Sequence, residues 1–440
     1  MERYYSNTLC RGLKLLYFQA DPSKFAEGVQ LLEKATADEE PHAFYFLARC
    51  YGWGDGNVQV NERKAKKLSK RGIELGSSLC VLGADRMDIL KGDIKNAMTG
   101  TLKDAYDDVM AMAEGGEPMA QYAIGLFYFW GDMLLNFQMP SKEDFLKCEK
   151  ENAAQALKWF RLSAAQGCLP SFRNAFNSVR NGVNGVTKDL EEALRFAENM
   201  DGKVDMRDYY HSFILEYQGL KRYADAIRWC ERGVQDGVSV CAVDLGLVYL
   251  YGDRGAKEDY AKALQLFHMA AGAGDEYGSY NAGRCYYHGW GCTADYNEAF
   301  RLFDQAFRGG HQHARWYLAQ CYFWGRGTLV NYEMAVQMMN RLINENQNYP
   351  KELMGYCCLY GQGIPADMVR GKRLLEEAAQ ENSGHAWMFL GDMYDKGTGV
   401  AQDIAMAVSC YQKAADKKIA GASEALSRYK KSLLGKWKRC

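Results

Sequence analysis

The chain repeats itself every 36 residues in its second half. A residue able to cap a helix recurs at this interval, at Asp259, Asp295, Asn331, Asp367 and Asp403. Four residues after each of these stands a small residue, at Ala263, Ala299, Ala335, Gly371 and Ala407. A period between 20 and 50 residues is typical of a repeat array, in which each unit buries its apolar face only by stacking on its neighbours.

Each repeat predicts a pair of helices. In the last regular repeat, Ala386, Leu390 and Tyr394 fall on one helical stripe. A glycine pair then follows, such as Gly397 and Gly399. Glycine adopts a positive φ easily and therefore ends a helix, and the Asp or Asn that comes next suits the N-cap of a second helix. The small residue after the cap lets the two helices approach closely, which completes a helical hairpin.

The regularity of the repeats divides the chain into four parts. Residues 1–40 predict N-terminal capping helices, and residues 41–237 predict irregular repeats with an insertion at 132–151. Within that part, residues 203–237 lack the glycine pair, so their helices are expected to join by a shorter turn. Residues 238–419 hold five regular repeats. Residues 420–440 predict a C-terminal capping helix and a basic tail.

Composition narrows the partners that we expect. The 54 basic and 55 acidic residues leave a formal net charge of -1, which gives no global field to attract nucleic acid. No apolar run is long enough to insert into a membrane. The 14 cysteines are irregularly spaced and the first residues do not resemble a secretory leader. We therefore expect reduced thiols, a cytoplasmic location and a monomer.

The repeated residues also resemble a known family. The pattern A-x-x-x-L-G-x-x-Y-x-x-G-x-G-V-x-x-D-x-x-x-A, best preserved from Ala386 onward, is similar to the Sel1-like repeat, a relative of the tetratricopeptide repeat. The resemblance implies an all-α fold, a right-handed superhelical α-solenoid of about ten antiparallel helix pairs. It also implies an adaptor that binds a protein or an extended peptide on its concave surface.

Motifs for catalysis are missing from the sequence. It contains no H-E-x-x-H, G-x-S-x-G or phosphate-binding G-x-x-x-x-G-K pattern, and the recurring G-x-G pairs are better explained as turns. Cys285, His288 and Cys292 lie close in sequence but lack a fourth metal ligand. We therefore predict no enzyme, no cofactor and no metal. Two alternatives stay open, a β-lactamase-like hydrolase, as claimed for secreted cysteine-rich relatives, and a regulatory subunit that senses a small molecule through 132–151.

Aromatic residues recur where the first helix of each repeat ends. The candidate partner-binding residues stand one or two positions before the first glycine of a turn; they are Trp53, Phe129, Trp130, Tyr251, Tyr287, His288, Phe323, Trp324 and Tyr360. One interpretation is that these rings pack between successive repeats. The other is that they form a partly exposed row that anchors a peptide, since Trp and Tyr are favoured interface residues.

Overall fold

The protein is an array of short α-helices. The structure, a computed structural model, describes residues 1–19, 21–83, 99–130, 142–183, 185–253, 255–345, 350–431 and 437–439, with the backbone alone at 99–101, 142–150 and 431. The described chain forms two compact units, Met1–Met206 and Arg207–Cys440. None of the described helices is long and apolar enough to cross a membrane.

The first unit contains ten of the described helices. They are α1 (Asn7–Leu13), α2 (Phe25–Ala37), α3 (Pro41–Trp53), α4 (Glu62–Glu74), α5 (Ser78–Gly83), α6 (Thr99–Glu114), α7 (Pro118–Phe129), α8 (Lys142–Ala164), α9 (Leu169–Asn181) and α10 (Leu190–Met200). A π-helical turn at Lys14–Phe18 and 3₁₀ turns at Pro22–Lys24 and Asp55–Asn57 connect some of them. Much of the predicted insertion at 132–151 falls outside the described residues, and its last part belongs to α8.

The second unit contains thirteen of the described helices after a 3₁₀ turn at Arg207–Tyr209. They are α11 (Tyr210–Gly219), α12 (Tyr223–Gln235), α13 (Ser239–Tyr251), α14 (Tyr260–Gly272), α15 (Glu276–His288), α16 (Tyr296–Arg308), α17 (Ala314–Trp324), α18 (Tyr332–Asn344), α19 (Lys351–Tyr360), α20 (Met368–Gln380), α21 (Gly384–Lys396), α22 (Ile404–Asp416) and α23 (Ala422–Ser427). In both units, consecutive helices pack as antiparallel pairs, so the predicted all-α solenoid of about ten pairs is confirmed.

The capping residues occupy the positions that the 36-residue period predicted. The side chain of each accepts a hydrogen bond from a backbone N–H in the first turn of the second helix; the residues are Asp259, Asp295, Asn331, Asp367 and Asp403. The backbone N–H of the same residue bonds back to the first helix, as Asp403 does to the Tyr394 carbonyl at 3.0 Å. One residue thus hydrogen-bonds to both helices of the pair, through its side chain to the second and through its backbone N–H to the first.

Both glycines of a turn are needed, for different reasons. Gly325 ends α17 with φ at 68°, in the left-handed region that glycine adopts without strain. Gly327 also has a positive φ, and a Cβ there would overlap the backbone of Tyr296 in the preceding repeat. The first glycine therefore shapes the turn, whereas the second lets one repeat lie directly on the previous one. The repeat at 203–237, which lacks the glycine pair, joins α11 to α12 through a shorter turn around Lys221, as predicted.

Close contact between paired helices depends on small residues. The small residue of the second helix is buried in all five regular repeats, and at Gly371 a Cβ would come within 2.8 Å of the Leu359 backbone nitrogen. The first helix supplies another glycine, Gly391, against which the ring of Tyr411 lies. This ring-on-glycine contact recurs with Phe303 on Gly283. The core is therefore distributed along the array rather than gathered at one centre.

The C-terminal segment differs from a simple capping helix. After α23, the chain forms two short antiparallel strands, β1 (Tyr429–Lys431) and β2 (Trp437–Arg439). The Arg439 guanidinium lies 3.4 Å from Asp395, a buried carboxylate at a position that holds an apolar residue in the preceding regular repeats. The ring of Tyr429 stacks on Tyr411 at 6.2 Å. Helix and strands together cover the last repeat.

Candidate partner-binding site

Most of the aromatic residues directly before the first glycine are exposed. Trp53 is 59% exposed and Trp130 is 58% exposed, in the first unit. In the second unit, Tyr251, His288 and Trp324 are exposed, and Tyr360 is half-buried. These outer rings end the first helix of their repeats or, for Trp130, follow it directly.

The residues one position earlier point into the array. Tyr287 and Phe323 are buried, and Phe129 is half-buried. The Tyr287 ring lies 5.4 Å from Tyr317, and the Phe323 ring lies 5.4 Å from Tyr356, in each case a residue of the following repeat. Successive residues of a helix are rotated by about 100°, so a neighbour of an outward ring can face the core. Tyr287 and Phe323 thus pack between successive repeats.

A cleft in the first unit brings three of the predicted residues together. It has a volume of about 490 Å³, and Trp53, Phe129 and Trp130 all line it. Its remaining walls are mainly apolar and aromatic; they include Tyr45, Leu79, Leu82, Tyr122, Leu126 and Phe127. Two polar side chains, Arg49 and Asn174, also face the cleft. An apolar cavity with a few polar groups is the usual form of a binding site.

Arg49 is held rigidly at this cleft. Its Nε donates to Oδ2 of Asp55 at 3.0 Å, and its Nη2 donates to the hydroxyl of Tyr122 at 3.3 Å. The hydroxyl of Tyr17 donates to the same Asp55 oxygen at 2.7 Å. Burial raises the pKa of Tyr122 to about 12, although the Arg49 charge acts in the opposite sense. The phenol therefore stays protonated, and the guanidinium stays charged and fixed in orientation.

Sequence reasoning missed Arg49, Tyr45 and Tyr122, yet a signal for them existed. Tyr45 and Arg49 stand eight and four residues before Trp53, and Tyr122 stands eight residues before Trp130. Residues at these spacings share one face of a helix. The residues four and eight positions before Trp53 and Trp130, on the same faces of α3 and α7, would therefore have been the candidates for the walls of the cleft.

The outer residues of the second unit lie among other rings. Trp324 lies 4.6 Å from Phe323 and 6.1 Å from His385, between ring centroids. His288 stacks on Trp290 at 4.6 Å, and Tyr360 lies 4.8 Å from Tyr356. His385 belongs to a later repeat than Trp324, whereas the other contacts lie within one repeat.

Eleven of the twelve cysteines whose side chains are described are buried, and Cys292 is half-buried. Each of the twelve cysteines whose side chains are described is a free thiol. Burial raises the pKa of Cys285 to about 12, so this thiol stays protonated at neutral pH. Among the described residues, no group of three or more His, Cys, Asp and Glu side chains is placed to hold a metal ion. Cys285, His288 and Cys292 accordingly do not form such a group.

Comparison with known proteins agrees with this architecture. The Sel1 repeat family matches the chain in nine segments covering more than half of its length, at 41–77, 118–136, 146–168, 179–199, 239–275, 277–311, 312–346, 352–383 and 386–418. A search of curated proteins finds no significant match.

One solved structure shares the fold over most of the chain. The chain is similar to a protective antigen of uropathogenic Escherichia coli displaying an SLR fold, with 19% identity over 91% of this chain and 89% of the other, at a TM-score of 0.50. A Sel1 repeat protein of Oxalobacter formigenes is 25% identical over 46% of this chain and 83% of its own, at a TM-score of 0.37. The antigen likeness concerns the fold alone, and the second score is too low to support an argument. On its repeats, the chain belongs to the Sel1 repeat family.

Proposed function

We propose that this chain is a protein-interaction scaffold and that the cleft of the first unit binds an apolar side chain of an extended peptide. Sel1 repeat proteins are generally interaction scaffolds, which supports the class of function. The observation that carries the proposal is the pair of indoles, Trp53 and Trp130, both largely exposed and both lining a cavity of about 490 Å³.

Large exposed rings beside a cavity favour binding for two reasons. An indole that becomes covered by a partner removes a large apolar surface from water, and Trp is enriched among residues that dominate binding energy. The cleft is also pre-organised, because Arg49 is fixed by Asp55 and Tyr122. A rigid site loses little conformational entropy when the peptide arrives.

Arg49 and Asn174 can orient a bound peptide by donating hydrogen bonds to it. An extended peptide has backbone carbonyl groups that need donors once they leave water. The guanidinium of Arg49 and the amide of Asn174 both face the cleft and provide N–H groups. We therefore expect the cleft to prefer an aromatic or large aliphatic side chain flanked by ordinary peptide groups. This role is binding and requires no catalysis.

Peptide selection tests the proposal. Random peptides of roughly twelve residues are selected by display on the full chain, and their affinities are measured by isothermal titration calorimetry. Replacing both indoles (Trp53→Ala with Trp130→Ala) is expected to weaken the selected apolar peptides by about tenfold or more. The control is Val369→Ala, which removes an 84% exposed apolar side chain from the other unit and should leave affinity unchanged.

Thermal melting separates lost binding from lost folding. Because both indoles are more than half exposed, the double variant should melt within a few degrees of the parent protein. Peptides that bind the double variant as tightly as the parent would show that the cleft is not their site. A selection that yields no peptide at all would also count against the proposal.

A further inference from the structure

Arg284 and Arg326 of the second unit are held by neutral groups in the described part of the chain. Within the described part of the chain, no carboxylate lies within salt-bridge distance of Arg284 or Arg326. By contrast, Arg301 of the same unit pairs with Glu298, and Arg315 pairs with Glu345 at 2.7 Å. A partly buried cation without a counter-ion is unfavourable. The absence of an acidic partner for both Arg284 and Arg326 among the described residues therefore requires an explanation.

Neutral groups hold the guanidinium of Arg284. Its Nη1 donates to Oδ1 of Asn281 at 3.1 Å, and its Nη2 donates to the hydroxyl of Tyr251 at 3.1 Å. The group also lies over the ring of Trp290, 5.3 Å from its centroid. Its Nε is buried and has no acceptor within the described residues. These contacts orient the cation but leave its charge uncompensated.

Arg326 is held in the same way from the next repeat. Its Nη1 donates to the hydroxyl of Tyr287, and the guanidinium lies 5.2 Å from the centroid of that ring. It also lies 5.1 Å from the ring of Tyr296. Each guanidinium carries five N–H groups, so only three of the ten are engaged by side chains in the described chain.

The two cations flank one exposed ring. His288 stacks on Trp290, which lies under Arg284, and lies 5.1 Å from Tyr287, which carries Arg326. Burial lowers the pKa of His288, and the charges of Arg284 and then Arg326 lower it further. The imidazole is therefore neutral at neutral pH, and the positive charge of this surface comes from the two arginines.

We propose that this basic aromatic cluster, formed by Tyr251, Arg284, Tyr287, His288, Trp290 and Arg326, binds an acidic side chain of an extended peptide. Charge complementarity identifies the ligand, because a carboxylate accepts from guanidinium N–H groups and supplies the missing counter-charge. The exposed rings of Tyr251 and His288 flank the cations and offer apolar surface to the residues beside that carboxylate. The inference rests on the proposed peptide-binding function and extends it to the second unit.

The display selection described above also tests this inference. Peptides selected on the full chain are expected to be enriched in Asp or Glu. Changing the enriched acid to its amide, or changing the protein by Arg284→Gln with Arg326→Gln, is expected to weaken binding by about tenfold. A matched control, Arg301→Gln, removes a positive charge from the same unit but leaves both cluster arginines in place, and should change affinity less than twofold.

Salt provides an independent reading. Binding through the cluster should weaken as ionic strength rises from about 0.05 to about 0.5 M, because salt screens exposed charges. Peptides without acidic enrichment that still require Trp53 and Trp130 would overturn the cluster and leave the scaffold function intact. Acidic peptides that bind the double arginine variant as tightly as the parent would also overturn it. Melting curves establish that each variant is folded.

Discussion

The Nε of Arg49 lies 3.0 Å from Oδ2 of Asp55, and both side chains are largely covered by the first unit. Asp55→Ala would leave the guanidinium buried without its carboxylate and would remove the acceptor of the Tyr17 hydroxyl. We expect the free energy of unfolding to fall by about 3 kcal/mol, measured by urea denaturation. Asp107→Ala, which breaks an exposed pair with Lys103, is the control and should cause no measurable change. Equal effects would show that the buried pair is not structural.

Neighbouring rings at Phe323 and Trp324 are expected to respond differently to truncation. Phe323 is 3% exposed and Trp324 is 39% exposed. Phe323→Ala opens a cavity between two repeats and should cost about 3 to 5 kcal/mol, whereas Trp324→Ala should cost under about 1 kcal/mol. Thermal and chemical denaturation of the two variants measure the difference. A large fall for Trp324→Ala would mean that this ring belongs to the packing between repeats.

Glycine inside a helix usually weakens it, but Gly391 is required by its neighbour. A Cβ at this position would lie 2.6 Å from the ring of Tyr411. Gly391→Ala should therefore destabilise the protein by about 1 to 3 kcal/mol through overpacking. Gly272→Ala is the matched control, because nothing lies within 4 Å of a Cβ there, and it should be neutral or stabilising by up to about 1 kcal/mol. Similar melting temperatures for both variants would contradict the close contact.

Stability is expected to depend on pH through His311. This ring stacks on Tyr280 at 4.1 Å, and its Nδ1 is buried with no hydrogen-bond partner among the described residues. Burial, and then the charge of nearby His313, lowers the pKa of His311 from its ordinary value of 6.5, against weaker opposing effects of Glu276 and Asp275. As pH falls below 6.5, the unfolded chain gains the proton before the folded chain does, so folding becomes less favourable.

His311→Phe isolates this contribution. The phenyl ring can keep the stack on Tyr280 and cannot titrate. Urea midpoints at about pH 7.5 and about pH 5.5 should differ less in the variant than in the parent. His42 and His288 also have lowered pKa values, so the variant should retain part of the dependence. An unchanged pH dependence would show that His311 is protonated equally in both states.

Local chemistry made much of the fold predictable. Asp259 and Asp403 cap their helices as their spacing indicated, because an N-cap needs only a side-chain acceptor within a few residues of the free N–H groups. Gly325 similarly ends its helix through its own positive φ, which depends on no distant residue. The C-terminal strands at Tyr429–Lys431 and Trp437–Arg439 were not predicted. Their anchor is the contact between Arg439 and Asp395, which are far apart in sequence.

The candidate sites were predicted only in part. The sequence placed Trp53 and Phe129 in one set of aromatic residues, but exposure divides that set into outward rings and packed rings. Adjacent residues of a helix point in directions about 100° apart, so one can be exposed while the next is buried. The orientation of the helix on its neighbours determines which of the two is buried. The Tyr122 partner of Arg49 was also unforeseen, because the two residues lie 73 positions apart and meet only through tertiary packing.

By itself, the sequence determined that this chain is a stack of helix pairs, since caps, turns and small residues act over a few positions and repeat at a constant interval. Only the tertiary structure decided which side chains share a surface. The cleft beside Trp130 and the unpaired charge of Arg284 both arise where separate helices meet. Cavities and electrostatic fields depend on distances through space, and the spacing of residues along a chain does not specify those distances.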